Sequence, residues 1–293
     1  MKAGFIGLGA MGQGMAANLA RAGLLAAVWN RSGDKAQAFA AEHGVVAADD
    51  PAALAAVSDL IVTCVSADAD VLAVIDQLRP ALAPGKVVLD ASTVSVDTAR
   101  EAARRVAEAG ASFLDGPVSG GTEGARNGQL VMMVGGDAEV LERIRPLLAP
   151  MTKAVTHMGP VGAGQATKAV NQIMAAGINQ AVTEALAFGQ AMGLDMRKVI
   201  DVVGGGAAGN WFLSHRGPTM VEDVFKPGFK VALHHKDLSI CKRMAAGLNV
   251  ALPVVEMTLV HYQRLMQAGY GEEDISALYR LKREMFAKGS KES

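Results

Sequence analysis

Apolar residues in the first half of the chain fall into short continuous runs, at 3–6, 25–29, 60–65 and 86–89. Runs of that length with few polar residues suit strands covered on both faces, as in a parallel sheet. Between them, 34–43, 51–57, 71–82 and 96–109 carry apolar residues at helical spacing, with a short strand expected around Val45 and Val46. Further strands are expected at 112–114, 129–134 and 154–157, around a helix over 138–148. The alternation stops at Gly159-Pro160-Val161-Gly162-Ala163-Gly164. Beyond it only helical runs follow, at 165–192, 196–203, 211–221 and from about Lys236 onward, with breaks near Pro253 and Gly269 and a polar tail at 288–293. The pattern predicts an α/β domain over 1–162 and an all-helical domain over 163–293.

The first run feeds directly into Gly7-Leu8-Gly9-Ala10-Met11-Gly12, and 11–21 continues with Met11, Met15, Asn18 and Leu19 at helical spacing. A G-x-G-x-x-G at a strand-to-helix turn has a physical reading. Gly7 permits the tight turn, Gly9 lets backbone approach a pyrophosphate with no Cβ in the way, and Gly12 lets the helix pack close to the strand. The helix N-terminus adds unsatisfied N–H groups and a positive dipole end. In a chain with 33 glycines the spacing alone is weak. Its place between strand and helix favours dinucleotide binding over a plain glycine-rich turn.

The second run ends in Asn30-Arg31-Ser32. A ribose with a free 2′-hydroxyl usually meets an acid here, and none is present. Arg31, with Asn30 and Ser32 beside it and Lys35 shortly after, offers charge-assisted hydrogen bonds to a 2′-phosphate. NADP(H) is therefore preferred, with NAD(H) possible and a solvated basic turn as the plain alternative. Val65 and Ser66, at the exit of the next strand, are expected near the adenosine or pyrophosphate, and Thr93 near the nicotinamide. Alternatively, Ser92, Thr93 or Ser95 only caps the helix that follows. At Asp115-Gly116-Pro117-Val118-Ser119-Gly120-Gly121-Thr122, a proline-fixed backbone and exposed amide groups beside the Ser119 hydroxyl offer a nest for a carboxylate, or simply a turn.

In the helical half, Lys168 and Asn171 are three apart and share a helix face among Ala166, Ala169, Val170 and Ile173. A lysine there either snorkels or is functional, and a nicotinamide domain upstream favours function. Lys236-Asp237 is a solvated pair at a helix start or part of a site. His234 and His235 are adjacent, so they point apart on a helix, and no metal site is expected. Trp211 and Phe212 either wall a substrate pocket or belong to the core.

Composition narrows the partners. Hydrophobic residues make up 51% and charged residues 19%, with a net charge of -1, which suggests neither disorder nor nucleic-acid binding. A small molecule is the expected partner. Cys64 and Cys241 are expected as reduced thiols rather than a disulfide or metal pair. No apolar run reaches about 18 residues and no charged leader precedes the first strand, so a cytoplasmic protein without membrane association is expected.

Together, Gly7-x-Gly9-x-Met11-Gly12-x-x-Met15, Asp115-x-Pro117-Val118-Ser119-Gly120-Gly121, Gly162-x-Gly164-x-x-x-Lys168-x-x-Asn171 and Lys236-Asp237-Leu238 resemble the β-hydroxyacid dehydrogenase family. That family includes 3-hydroxyisobutyrate dehydrogenases, tartronate semialdehyde reductases and glyoxylate/succinic semialdehyde reductases. The resemblance runs in order over nearly the whole chain. It implies an N-terminal Rossmann-like dinucleotide-binding domain joined by a long helix to an all-α C-terminal domain, in a homodimer or homotetramer. By the same resemblance Lys168 is the catalytic acid/base and Asn171 orients the substrate. Ser119, Gly120 and Gly121 bind a carboxylate on a small substrate, and Thr93 and Lys236 lie near nicotinamide and substrate. Asn30-Arg31-Ser32 is similar to the pattern of the family's NADP-using reductases. The implied reaction interconverts a semialdehyde acid and its 3- or 4-hydroxy acid. A non-enzymatic, cofactor-stabilised scaffold remains the contrasting reading, against which Lys168 and Asn171 count.

Overall fold

Strand β1 (Ala3–Ile6) is wholly buried, and its side chains alternate between two layers: Ala3 and Phe5 enter one cluster and Ile6 the other. The computed structural model describes residues 1–289 and divides into two units, Met1–Lys168 and Ala169–Ser293. After β1 the first unit runs through α1 (Gly12–Arg21), β2 (Leu25–Trp29), α2 (Gly33–His43), β3 (Val46–Ala47), α3 (Pro51–Ala56), β4 (Leu60–Thr63) and α4 (Asp68–Leu78). It continues with β5 (Val87–Asp90), α5 (Val96–Glu108), β6 (Ser112–Asp115), β7 (Val118–Ser119), α6 (Gly121–Asn127), β8 (Leu130–Gly135), α7 (Ala138–Leu148) and β9 (Thr152–Gly159).

The sheet order is β3-β2-β1-β4-β5-β6-β8-β7, with β9 beside β8. Strands β1 to β6 pair in parallel, and β1, β4 and β5 are buried at every residue, as in a sheet covered on both faces, while β3 at the edge is not. Leu60 and Val62 join the layer of Phe5, with Met15 and Leu19 of α1 and Phe39 of α2; Ile61 joins that of Ile6, with Val71 and Ile75 of α4 and Val106 of α5. Because β1 is flanked by β2 and β4, the chain reverses direction across the sheet there. The glycine loop after β1 therefore opens at a topological switch point, where open α/β sheets bind ligands.

Several elements differ from the sequence pattern. The glycine-rich exit after β6 is more than a turn: it forms β7, antiparallel to β8, and then α6. Antiparallel pairing also joins β6 to β8. Helix α4 starts at Asp68, ahead of the first apolar residue of its stripe, Val71, because its first turn is polar.

Helix α8 (Ala163–Ala191) is 29 residues long. The second unit continues with α9 (Met196–Gly204), α10 (Trp211–Val221), α11 (Val231–Ala246), α12 (Pro253–Gln267) and α13 (Leu278–Gly289). Its core gathers Leu186, Ile200, Leu213, Leu238, Tyr262 and Tyr279. Phe212 belongs to this core, whereas Trp211 is exposed and stacks on His215. Lys236 and Asp237 lie inside α11, which opens at Val231, rather than at a helix start. Of the expected polar tail, α13 takes in the part up to Gly289, and residues 290–293 lie outside the described residues. Among the described residues no helix is long and apolar enough to cross a membrane.

Candidate active site

The three motif glycines serve three different purposes. Gly7 has φ 97°, and a Cβ on it would stand 2.3 Å from the carbonyl oxygen of Cys64. A Cβ on Gly12 would stand 1.9 Å from Gly7 O, so the helix start and the strand end are in backbone contact. Around Gly9 nothing lies within 4 Å of the Cβ direction, and Gly9 and Ala10 are exposed. The first turn of α1 carries no acidic residue, which leaves its positive end uncompensated. Open backbone over a helix N-terminus fits a pyrophosphate. Leu8 is buried and Met11 half-buried, so these two side chains anchor the loop from below.

Asn30 is engaged with the loop itself. Its Oδ1 accepts from Leu8 N at 2.9 Å, and its Nδ2 donates to Ser32 O at 3.1 Å. Arg31, Ser32 and Lys35 are exposed, as are Gly33 and Asp34 between them. Ser32 stands at the N-terminus of α2 with no side-chain capping bond. Arg31 Nη1 pairs with Asp70 Oδ1, in the first turn of α4, at 3.2 Å. That acid was not visible from the sequence, because it follows a different strand from the arginine it faces.

At the next strand exits Val65 N donates to Ser92 Oγ at 2.8 Å, while Ser66 is exposed. Ser95, not Ser92 or Thr93, caps α5, its Oγ accepting from Thr98 N. Thr93 is half-buried. Beneath this exit Asp90 is fully buried, with Oδ1 accepting from Thr63 Oγ1 at 2.7 Å and from Ser92 N at 3.2 Å, and with no partner on Oδ2. Burial pushes its pKa up, and so does nearby Asp115, against the hydrogen bonds from Ser92 and Thr63. Asp115 is cross-strand partner to Asp90 and accepts from Gly162 N at 2.7 Å and Gln165 N at 2.9 Å. Burial raises its pKa as well, opposed by those N–H groups.

Lys168 is 7% exposed, and its Nζ donates to Val118 O at 2.9 Å. The amine is therefore held by the protein and does not reach out to solvent. Ser119 follows Val118 directly and is half-buried; Gly120 at φ 135° and Gly121 at φ 63° then turn the chain into α6. In the second unit, Asn171 Nδ2 donates to Gln172 Oε1 at 2.7 Å, and Gln172 Nε2 donates to Asp237 Oδ2 at 2.7 Å. Asp237 Oδ1 pairs with Lys236 Nζ at 3.0 Å. Asn171 and Lys236 are thus joined through two side chains. His234 is buried against Tyr262 OH (3.0 Å) and Gln172 O (3.2 Å), while burial lowers the pKa of His235. Among the described residues no group of His, Cys, Asp and Glu could hold a metal ion. Cys64 is half-buried and Cys241 buried, both as thiols.

Residues 2–159 match the model of the NAD binding domain of 6-phosphogluconate dehydrogenase. Residues 162–282 match that of the NAD-binding region of NADP-dependent 3-hydroxyisobutyrate dehydrogenase. The chain belongs to the β-hydroxyacid dehydrogenase family.

Relatives of this dehydrogenase include the 2-hydroxy-3-oxopropionate reductase of Escherichia coli, 38% identical, with 95% of this chain and 96% of the relative covered. Another is the NAD-dependent L-serine dehydrogenase of Pseudomonas aeruginosa, 36% identical, with 94% and 96% covered. Among solved structures, Mycobacterium tuberculosis 3-hydroxyisobutyrate dehydrogenase with L-serine superposes with a TM-score of 0.88 at 33% identity, covering 96% of this chain and 99% of that one. The chain is an NAD(P)-dependent dehydrogenase acting on CH–OH groups, and a nicotinamide dinucleotide is its cofactor.

In this dehydrogenase α8 carries Lys168 and Asn171 one turn apart, and the first unit brings Lys168 next to the Ser119 turn. Three residues were missed: Asp70, Gln165 and Gln172. Gln165 had a usable signal, since it stands three before Lys168 and so shares its helix face. Gln172, beside Asn171, had none that spacing could supply.

Proposed function

We propose that this dehydrogenase interconverts a small semialdehyde acid and its 3- or 4-hydroxy acid, in the cytoplasm and as a homodimer or homotetramer, with NADP(H) preferred over NAD(H). The observation that carries the reading is the bond from Lys168 Nζ to Val118 O, 2.9 Å, which ties a buried lysine to the residue before Ser119-Gly120-Gly121. An acid/base group and a candidate carboxylate nest are therefore neighbours. When bound, the nicotinamide dinucleotide supplies the hydride in reduction and accepts it in oxidation. Lys168 Nζ, as ammonium, gives a proton to the carbonyl oxygen; in the opposite direction the neutral amine takes the hydroxyl proton. Ser119 Oγ and the N–H groups of Gly120 and Gly121 hold the substrate carboxylate. Asn171, hydrogen-bonded to Gln172, is assigned to orienting the substrate, and Lys236, paired with Asp237, to binding substrate and nicotinamide.

The cofactor roles follow the same logic. Gly7 to Gly12 receive the pyrophosphate, Val65 and Ser66 border the adenosine half, and Thr93 borders the nicotinamide. Arg31, Ser32 and Lys35 hold the 2′-phosphate, while Asn30 acts by holding Leu8. The names of the relatives support the substrate class. L-serine is itself a 3-hydroxy acid, and reduction of 2-hydroxy-3-oxopropionate at its C3 aldehyde likewise gives a carboxylate with a hydroxyl on C3.

Initial rates with NADPH and NADH test the reading, run against tartronate semialdehyde, methylmalonate semialdehyde, succinic semialdehyde and glyoxylate, with L-serine in the oxidative direction. Fast NADPH-dependent turnover of one carboxylate substrate is expected. Cofactor binding without turnover of any of them would overturn the assignment.

A further inference from the structure

Gln165 stands at the start of α8 and is 1% exposed. Both halves of its carboxamide are used: Nε2 donates to Ser92 O at 2.8 Å, and Oε1 accepts from Val94 N at 3.2 Å. The two bonds straddle Thr93. Its backbone N–H donates to Asp115 Oδ2 at 2.9 Å, on the neighbouring strand exit. Ser92 is held again from its other side, by Val65 N on Oγ and through its own N–H to Asp90 Oδ1. Gln165 therefore joins the helix that carries Lys168 to the β5 exit through its side chain and to the β6 exit through its backbone N–H, while Ser92 links the β4 exit to the same point.

We propose that Gln165 is a positioning residue for the reaction: its carboxamide fixes the Ser92-Thr93-Val94 exit against the first turn of α8 and so sets where Lys168 stands relative to the nicotinamide edge. The inference rests on Lys168 as acid/base and on Thr93 at the nicotinamide. Three observations carry it. Gln165 and Lys168 are three apart and share a face of one helix, so a displacement of one is transmitted to the other without slack. The helix start cannot drift, because Asp115 also binds Gly162 N at 2.7 Å and a Cβ on Gly164 would stand 2.8 Å from Asp115 Oδ2. The exit loop follows the end of β5 and leads into α5, and the Gln165 carboxamide ties it to α8 at both Ser92 and Val94. An amide is the side chain that can serve a carbonyl and an N–H at once. A carboxylate would face Ser92 O with a second acceptor, and an apolar isostere would leave both backbone groups unpaired in a buried place. Misplacement of reacting groups by about 1 Å can cost about 100-fold in rate.

The test uses the full chain with Gln165→Met, which keeps volume and loses both bonds, and Gln165→Glu, which keeps only the acceptor to Val94. Expected for both is a fall in kcat of about 10- to 100-fold, with the NADPH dissociation constant and the substrate KM within about threefold. The primary deuterium isotope effect from 4-deuterated NADPH should rise, as hydride transfer becomes limiting. In the cofactor-free Gln165→Met protein, exchange of the Val94 amide should speed up at least about tenfold while amides of β5 keep their protection. If Gln165→Met does not fold, Gln165→Glu, which loses the bond to Ser92 O, carries the kinetic readouts. Wild-type kcat in a folded variant, or a loss explained wholly by weaker NADPH binding with an unchanged isotope effect, overturns the proposal. Lys168→Ala separates this from the underlying reading: if that variant still turns over, the assignment of Lys168 is wrong, whereas a dead Lys168→Ala beside a fully active Gln165→Met overturns only the role of Gln165.

Discussion

Lys168 and Val118 meet, 50 residues apart in sequence, through a 2.9 Å hydrogen bond from Nζ to the backbone carbonyl. The lysine is buried, its amine rests at a strand end, and the next residue begins the Ser119-Gly120-Gly121 turn.

Replacing Lys168 with Ala removes the proton donor and leaves Val118 O without this partner. A loss of kcat of about 100- to 10,000-fold is expected, the range of general acid–base catalysis. NADPH affinity, read by fluorescence titration, should stay within a few-fold. An active variant at the wild-type rate would remove Lys168 from the chemistry.

Gly9 and Gly12 are predicted to respond in opposite ways to the same substitution. Gly12→Ala forces a methyl to within 1.9 Å of Gly7 O, so the loop must shift and the melting temperature should drop by several degrees. Gly9→Ala meets nothing within 4 Å, so the fold should keep its melting temperature. The methyl would instead occupy the space over the helix N-terminus, and cofactor affinity should fall at least about tenfold. Calorimetry paired with cofactor titration separates the two, and a Gly9→Ala protein that binds NADPH normally would place the pyrophosphate elsewhere.

Asp70 faces the guanidinium that is assigned to the 2′-phosphate, at 3.2 Å. A phosphate arriving at Arg31 meets that carboxylate. Asp70→Asn is expected to tighten NADPH several-fold, in line with about 1 kcal/mol between exposed charges at 4 Å, and to leave NADH nearly unchanged. Arg31→Ala should weaken NADPH far more than NADH. The Asp70 effect should shrink in high salt; equal effects of Asp70→Asn on both cofactors would show that the carboxylate does not sense the phosphate.

The buried carboxyl of Asp90 makes stability depend on pH in a defined direction. Its folded-state pKa lies above the ordinary value of 3.8, so the folded chain holds this proton more tightly than the unfolded chain does. Its contribution is fully present below 3.8 and is lost as pH rises through the folded value. Asp90→Asn removes the titration. Urea unfolding from pH 4 to pH 8 should therefore show wild type losing stability relative to Asp90→Asn as pH rises. A difference that is flat or grows in favour of wild type would mean that Asp90 is not held as the acid.

What could be read along the chain was whatever depends on neighbours in sequence. The glycine loop was legible because a strand run, three glycines and a helical stripe are contiguous between 3 and 21. The shared helix face of Lys168 and Asn171 was legible because helical geometry alone puts positions three apart on one side. The two-unit order was legible because buried strands and amphipathic helices have different periods. Helix α6 was not, since Gly121–Asn127 is glycine-rich and a poor helix by propensity. It forms where α1 receives it: Asn18 Nδ2 donates to Ala125 O at 2.7 Å, and Gly14 leaves room for its backbone. Nor were the roles of Asn30, Asp70 and Gln165, whose partners stand 22, 39 and 73 residues away. Periodicity decides which face a side chain takes. Which distant group meets it there is decided only when strands and helices pack, because a hydrogen bond depends on distance and angle in space and not on separation along the chain.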